Sequence, residues 1–290
     1  MYPVFVSQLH AARIDQSGKS DVMTSTASGA RLHVSLPRIG SIVIGLSAAI
    51  FFLGVVRELF IAHFGTQTPL QDLRQIALDV EHSAAAYYSA LLLLACAAML
   101  FAISRLVRRD GGSDVPRWTL LAVVFTVMSV DEAVSFHEVL ITPLRETFGL
   151  SGMFYFAWVI PGAILVALLG LYYLPFLFRL PRRSALLFVL AGIIYVGGAL
   201  GMELVAGFLA EAYGSLTATP YLAVAVIEEG MEIAGLTIFF LALTSFVYRA
   251  WRTVDLRIEA SRQSIGAASE EGPERSSIRK RRSGGPNALR

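Results

Sequence analysis

The sequence predicts an all-α fold, a polytopic membrane helix bundle of six transmembrane helices with both termini cytoplasmic. Three observations predict it. Of the 290 residues, 55% are hydrophobic and 16% charged, against about 25% charged in ordinary soluble domains, and mean hydropathy is +0.62. The apolar residues form runs that approach or exceed the ~20 residues a helix needs to cross a bilayer. These runs are continuous rather than alternating, which excludes a transmembrane β-barrel. Basic residues also alternate between successive loops, and that sets an orientation.

Residues 1–37 are polar and rich in small residues, and read as a disordered cytoplasmic segment. The short apolar start Val4-Phe5-Val6 lacks the length of a signal-peptide core, and Met23 is a second candidate start. A membrane domain is expected over 38–252. Its spans are about Ile39–Phe64, Ala84–Val107, Trp118–Ile141, Met153–Phe178, Ser184–Leu209 and Tyr221–Trp251. Pro161-Gly162 predicts a kink within the fourth span, and Pro181 separates it from the fifth. Gly192, Gly197, Gly198 and Gly201 give the fifth span a small-residue face suited to close packing. Residues 253–290 read as a disordered basic cytoplasmic tail, whose Arg279-Lys280-Arg281-Arg282 would attract anionic lipid weakly.

Arg31 and Arg38 precede the first span, and Arg105, Arg108, Arg109 and Arg117 follow the second. Arg179, Arg182 and Arg183 follow the fourth; Arg249, Arg252 and Arg257 follow the sixth. The alternate loops hold only Arg74 and Arg145. Both termini therefore fall on the cytoplasmic side. Cys96 is the single cysteine, so no intramolecular disulfide and no CxxC metal site is available.

The third span carries Asp131, Glu132, Ser135, His137 and Glu138; the sixth carries Glu228, Glu229 and Glu232. Each charge inside a membrane is expensive, roughly 2.5–3.5 kcal/mol for Asp on insertion scales. At 1.5 Å per residue, Asp131 lies about 20 Å and Glu138 about 30 Å from the inner end of their span. Glu203 lies about 28 Å along the fifth span, and Arg57 and Glu58 about 27 Å along the first. Glu228 to Glu232 lie roughly 10–17 Å from the outer end of the sixth. All converge on the outer half of the bilayer, and the inner half stays apolar. In an unbroken helix Asp131, Ser135 and Glu138 would share one face, as i, i+4 and i+7 do.

Arg57 cannot neutralise Asp131, Glu132, Glu138, Glu203, Glu228, Glu229 and Glu232 together. The remainder must be protonated, hydrated or bound to cations. Carboxylates with imidazole suit a divalent metal, with Zn, Fe or Mn foremost and Mg or Ca depending on geometry. The expected ligands are Asp131, His137, Glu138, Glu203, Glu228 and Glu232. Glu132 or Glu229 would be a general base acting on metal-bound water. Arg57, Glu58, His63, His82 and Ser135 are expected as supporting or substrate-contacting groups. Simpler readings stand beside these. Glu138 and His137 would mark the membrane interface, as would His63 and His82. Glu58 would pair only with Arg57, Glu211 would be solvated, and Tyr87 and Tyr88 would belong to an interface belt or, with Ser89, line the same cavity. Asp131, Glu228 and Glu232 would form a structural hydrogen-bonded network. Neither the HExxH pattern nor the paired Glu-x-x-His pattern of di-iron bundles is present.

The pattern Asp131-Glu132 followed by His137-Glu138, with Glu228-Glu229-x-x-Glu232, resembles a group of uncharacterised bacterial six-span membrane proteins. That resemblance implies a bacterial cytoplasmic (inner) membrane and brings no activity. A looser likeness is to the ceramidase-like intramembrane metal hydrolases, which hold zinc with a Ser, an Asp and three His. It implies Ser135, Asp131, His63, His82 and His137 in those roles. Glutamates stand where that family's last helix has paired histidines, which counts against zinc amidase chemistry. Two functions from different classes follow. One is a metal-dependent intramembrane hydrolase or oxidoreductase acting on a lipid or other amphiphile. The other is a proton- or cation-coupled transporter or sensor using the same acids; a structural role is the third. Membrane lipids are the expected partners, and nucleic acid is not.

Overall fold

The computed structural model describes residues 36–65, 68–78 and 80–251, and the expectations for the terminal segments fall outside them. Its described residues all belong to one unit. They form α1 (Leu36–Phe64), α2 (Pro69–Asp72), α3 (Ala84–Arg109), α4 (Val115–Val134), α5 (Phe136–Val139) and α6 (Ile141–Phe148). After these come α7 (Val159–Leu177), α8 (Arg182–Val196), α9 (Glu203–Tyr213) and α10 (Thr219–Ala250). No strand occurs among the described residues.

Five helices are long and apolar enough to cross a membrane: Arg38–Phe64, Ala84–Arg109, Val159–Leu177, Arg182–Tyr213 and Thr219–Ala250. A sixth crossing exists if Val115–Val134 and Phe136–Phe148 are one span, but that pair is bent by 70°. The unbroken third span expected over Trp118–Ile141 is thus corrected: the helix stops at Val134. Another correction concerns Pro161, which lies in the first turn of α7. There a proline removes no hydrogen bond, so no mid-span kink arises from it. In the fifth span, α8 passes into α9 through a π-helical segment, Gly197–Met202.

Local chemistry sets the helix limits. Ser83 caps α3 by accepting from the Ala86 N–H at 3.2 Å, satisfying a donor the first turn leaves free. Glycines in the left-handed region, Gly65 and Gly214, follow the ends of α1 and α9, where a Cβ would be strained.

Small polar side chains join the helices. Ser104 bonds Thr119 at 2.7 Å, and Ser129 donates to the Ala90 carbonyl at 2.8 Å, tying α3 to α4. Ser47 of α1 bonds Thr237 of α10 at 2.6 Å and Tyr88 of α3 at 2.7 Å, and Tyr88 donates to the Val43 carbonyl. Tyr88 is therefore a link between helices, not a member of an interface belt. Glycines allow the closest approaches. A Cβ on Gly235 would lie 2.7 Å from the Tyr195 backbone nitrogen, and one on Gly198 would lie 2.9 Å from the Glu228 carbonyl oxygen. Gly192 and Gly201 have open space instead, so only part of the expected small-residue face packs.

One end of the bundle is filled with aromatic side chains. Trp118, 2% exposed, meets Phe176, Phe188 and Phe246 at ring-centroid distances of 5.1, 6.4 and 5.3 Å. Around it, Asp114 accepts from Arg117 at 2.8 Å and from Arg179 at 2.7 Å. The Trp251 indole donates to Asp110 at 2.7 Å, and this bond holds the Asp110 carboxyl below its ordinary value.

Cys96 is fully buried in this core, so its alkylation reports unfolding. Gly235→Ala should lower the midpoint of thermally induced Cys96 labelling by roughly 3–10 °C, since overpacking costs about 1–3 kcal/mol. An unchanged midpoint would show that α8 and α10 do not meet at this glycine.

Candidate functional site

At the other end of the bundle the helix carrying the acids breaks at Ser135. The Ser135 N–H closes the last turn of α4 on the Asp131 carbonyl at 2.6 Å. Its own backbone then turns left-handed, with φ 54°, which redirects the chain. The Asp131 carboxylate spans the break. One oxygen accepts from the His137 backbone N–H at 3.0 Å and the other pairs with His137 Nδ1 at 2.8 Å. Asp131 so caps α5 from six residues upstream. A carboxylate only accepts, so Nδ1 carries the proton and Nε2 is the ring nitrogen left for a ligand. The shared face expected for Asp131, Ser135 and Glu138 is lost with the helical phase, and Ser135 turns its hydroxyl to Glu81, to which it donates.

Glu81 was not among the ligands expected from sequence. It lies in the turn before α3, in a segment seated by buried Ala77 and Leu78. Ligand atoms of Glu81, His137 and Glu138 lie within 4.8 Å of one another. Glu81 and His137 are half-buried and Glu138 is exposed. Glu132 is within electrostatic reach of Glu81, His137 and Asp131.

Beneath this outer cluster lies a second group. Glu228 of α10 lies beside Glu203, the first residue of α9, and in electrostatic reach of Glu229 and Glu232. Glu232, one turn on from Glu228, is in electrostatic reach of Glu132, Glu229 and Glu203. Tyr195 faces Glu232, Glu132, Glu229 and Asp131. The π-helical segment immediately precedes Glu203. Trp158, just ahead of α7, touches both groups. Its ring lies 4.6 Å from the His137 ring, and its indole N–H donates to Glu203 at 3.2 Å. Of the one ligand set expected, His137 and Glu138 lie in the outer cluster and Glu203, Glu228 and Glu232 in the inner group, and the two stay in electrostatic reach: Glu203 acts on His137 and Glu138, and Glu81 on Glu232.

Other candidates take up different positions. Arg57 and Glu58 are buried and paired with each other, and Arg57 Nε donates to the Leu73 carbonyl at 3.1 Å. That pair clamps the segment after α2. His63 is exposed at the end of α1 and lies edge-on to Phe64. His82 is exposed, adopts φ 61°, and lies edge-on to Tyr87 at 6.2 Å. His82 and Ser135 are the two described non-glycine residues with positive φ, one beside Glu81 and one bonded to it. Ser89 is buried in α3, within the helix core. Glu211, expected to be merely solvated, accepts from the Gly152 backbone N–H.

The sequence signal for Glu81 was slight: an acid beside a histidine, just outside a span. Trp158 and Tyr195 carried none, because an aromatic residue in an apolar run reads as core.

Ser135→Val should destabilise the fold by about 1–2 kcal/mol, because it loses the hydroxyl bond to Glu81 and places a β-branched side chain, worse suited than serine, at a left-handed position. Ser135→Gly should relieve the backbone while losing the bond to Glu81, and so should melt above Ser135→Val. Thermal Cys96 labelling of both variants checks this. Equal midpoints would mean the left-handed turn is not maintained.

A family model described as a domain of unknown function, DUF8692, matches residues 43–247. No curated protein and no solved structure matches the chain. The matched stretch runs from α1 to near the end of α10 and includes both acid groups, so the chain belongs to the DUF8692 family.

Proposed function

We propose that the protein is a multi-pass membrane protein that holds a divalent metal through Glu81, His137 and Glu138, and acts there on the polar head of a lipid or other amphiphile. One observation carries this reading. Three ligand atoms of mixed type, one from Glu81 and two from the adjacent His137 and Glu138 more than fifty residues later, meet within 4.8 Å, and the imidazole among them is already oriented by a carboxylate. Carboxylate-oriented histidines are the usual support of metal ligands. Three protein ligands also leave a coordination position open, as catalytic sites do.

A bound divalent ion would supply Lewis acidity and a water of lowered pKa. The chain's own residues do the rest. Asp131 fixes the His137 tautomer, and Ser135 holds Glu81. Glu132, beside all three, is placed to take up a proton. Apolar Phe136, Val139 and Leu140 are exposed on the same bent segment, which suits a substrate with a tail. The positive-inside pattern supports cytoplasmic termini and a site opening on the outer side of the membrane. The aromatic packing around Trp118 supports closure toward the cytoplasm.

A second reading draws on the gathering of Glu203, Glu228, Glu229 and Glu232 on α9 and α10. A chain of protonatable carboxyls serves proton- or cation-coupled transport or sensing. The packed aromatic end counts against a continuous path for it.

Metal content by mass spectrometry, on full-length protein purified in detergent without chelator, tests the first reading. The parent should hold near-stoichiometric divalent metal, and a Glu81→Ala, His137→Ala double variant should lose it. Asp110→Asn, at the far end of the bundle, should keep it. Background metal in the parent would sink the metal reading and leave carboxyl-based transport in front.

A further inference from the structure

Trp158 contacts a residue of each acid group: the His137 ring at 4.6 Å and a Glu203 oxygen at 3.2 Å. Its own position is narrow. A Cβ added at Gly162, one turn further along α7, would lie 3.0 Å from the indole edge, so α7 offers the indole a fitted seat. The two chemistries of the side chain are used separately. The ring lies against the imidazole at a tilt of 53° and the N–H is fixed by a carboxylate, the division of labour that suits tryptophan where one edge must be anchored. An imidazole held at Nδ1 by Asp131 can still rock about that bond, and a ring packed against it removes that freedom. Groups that orient a ligating histidine without touching the metal govern affinity about as strongly as many ligands do.

We propose that Trp158 is a positioning residue of the metal site: packed on His137 and anchored on Glu203, it sets the imidazole orientation from the inner acid group. The inference rests on the metal reading above. It adds that the inner carboxyls act on the outer cluster through one indole, rather than as ligands themselves.

Cobalt(II) titration of the full-length protein in detergent tests it, because the visible absorption bands of bound cobalt report ligand geometry as well as affinity. Trp158→Ala should bind cobalt about tenfold more weakly than the parent, with shifted bands. Trp158→Phe, which keeps a packed ring and loses the anchoring N–H, should fall between the two. Trp251→Phe, the same exchange at the far end of the bundle, should match the parent. His137→Ala should abolish the bands. Parent-like affinity and bands in Trp158→Ala would overturn the inference while leaving the metal site standing. If Trp158→Ala fails to protect Cys96 from alkylation, Trp158→Phe decides, and parent-like affinity and bands there overturn it equally. A parent that binds no cobalt overturns the metal reading itself, and this inference with it.

Discussion

Two hydrogen bonds from the Asp131 carboxylate hold the beginning of α5 against the end of α4. A helix that breaks leaves backbone groups at its ends without intrahelical partners. Asp131 takes one of them, the His137 N–H, and in the same grip turns the imidazole. The left-handed residue at the break is what allows the carboxylate to reach forward. The bend of 70°, the direction of α6 and the meeting of His137 with Glu81 all follow from that one local arrangement. Backbone satisfaction and site construction are here the same set of contacts.

The two ends of the bundle are built from different materials. Around Trp118 the helices interlock through aromatic rings, with arginine–aspartate pairs at the rim. Toward the acid groups they approach through glycines: Gly198 lies against Glu232 and Gly235 against Tyr195, and Tyr195 and Glu232 are in electrostatic reach of each other. Polar side chains packed this tightly between helices depend on one another for hydrogen bonds, whereas the interior of the aromatic end is held by the fit of its rings, with polar pairs only at the rim. Rigid packing at one end gives the polar end a fixed frame.

Much of the architecture was legible in the sequence because length and hydropathy are additive along a chain. The limits at Phe64 and Ala84 are marked by Gly65 and by the Ser83 cap. The break at Ser135 was not. Serine carries no breaking signal comparable to glycine or proline, and what stabilises its left-handed backbone is a carboxylate four residues earlier and another 54 residues away. Glu81 was overlooked for a related reason: it lies in a connecting segment, and only tertiary folding brings it to His137. Pro161 misled in the opposite direction, since the effect of a proline depends on where the helix begins, and α7 begins two residues before it.

The π-helical segment Gly197–Met202 amounts to one residue more than an α-helix would use to cover the same rise. Inserting one further residue beside it, with no second wide turn to absorb it, would turn everything downstream by about 100°. Glu203 would swing away from Trp158 and Glu228, and Gly207 would leave the Gly152–Tyr155 turn that now rests against it. No side chain in the site need change for the site to be dismantled. The number of residues between Val196 and Glu203 is therefore itself a determinant of the chemistry, one that a comparison of side chains position by position would pass over.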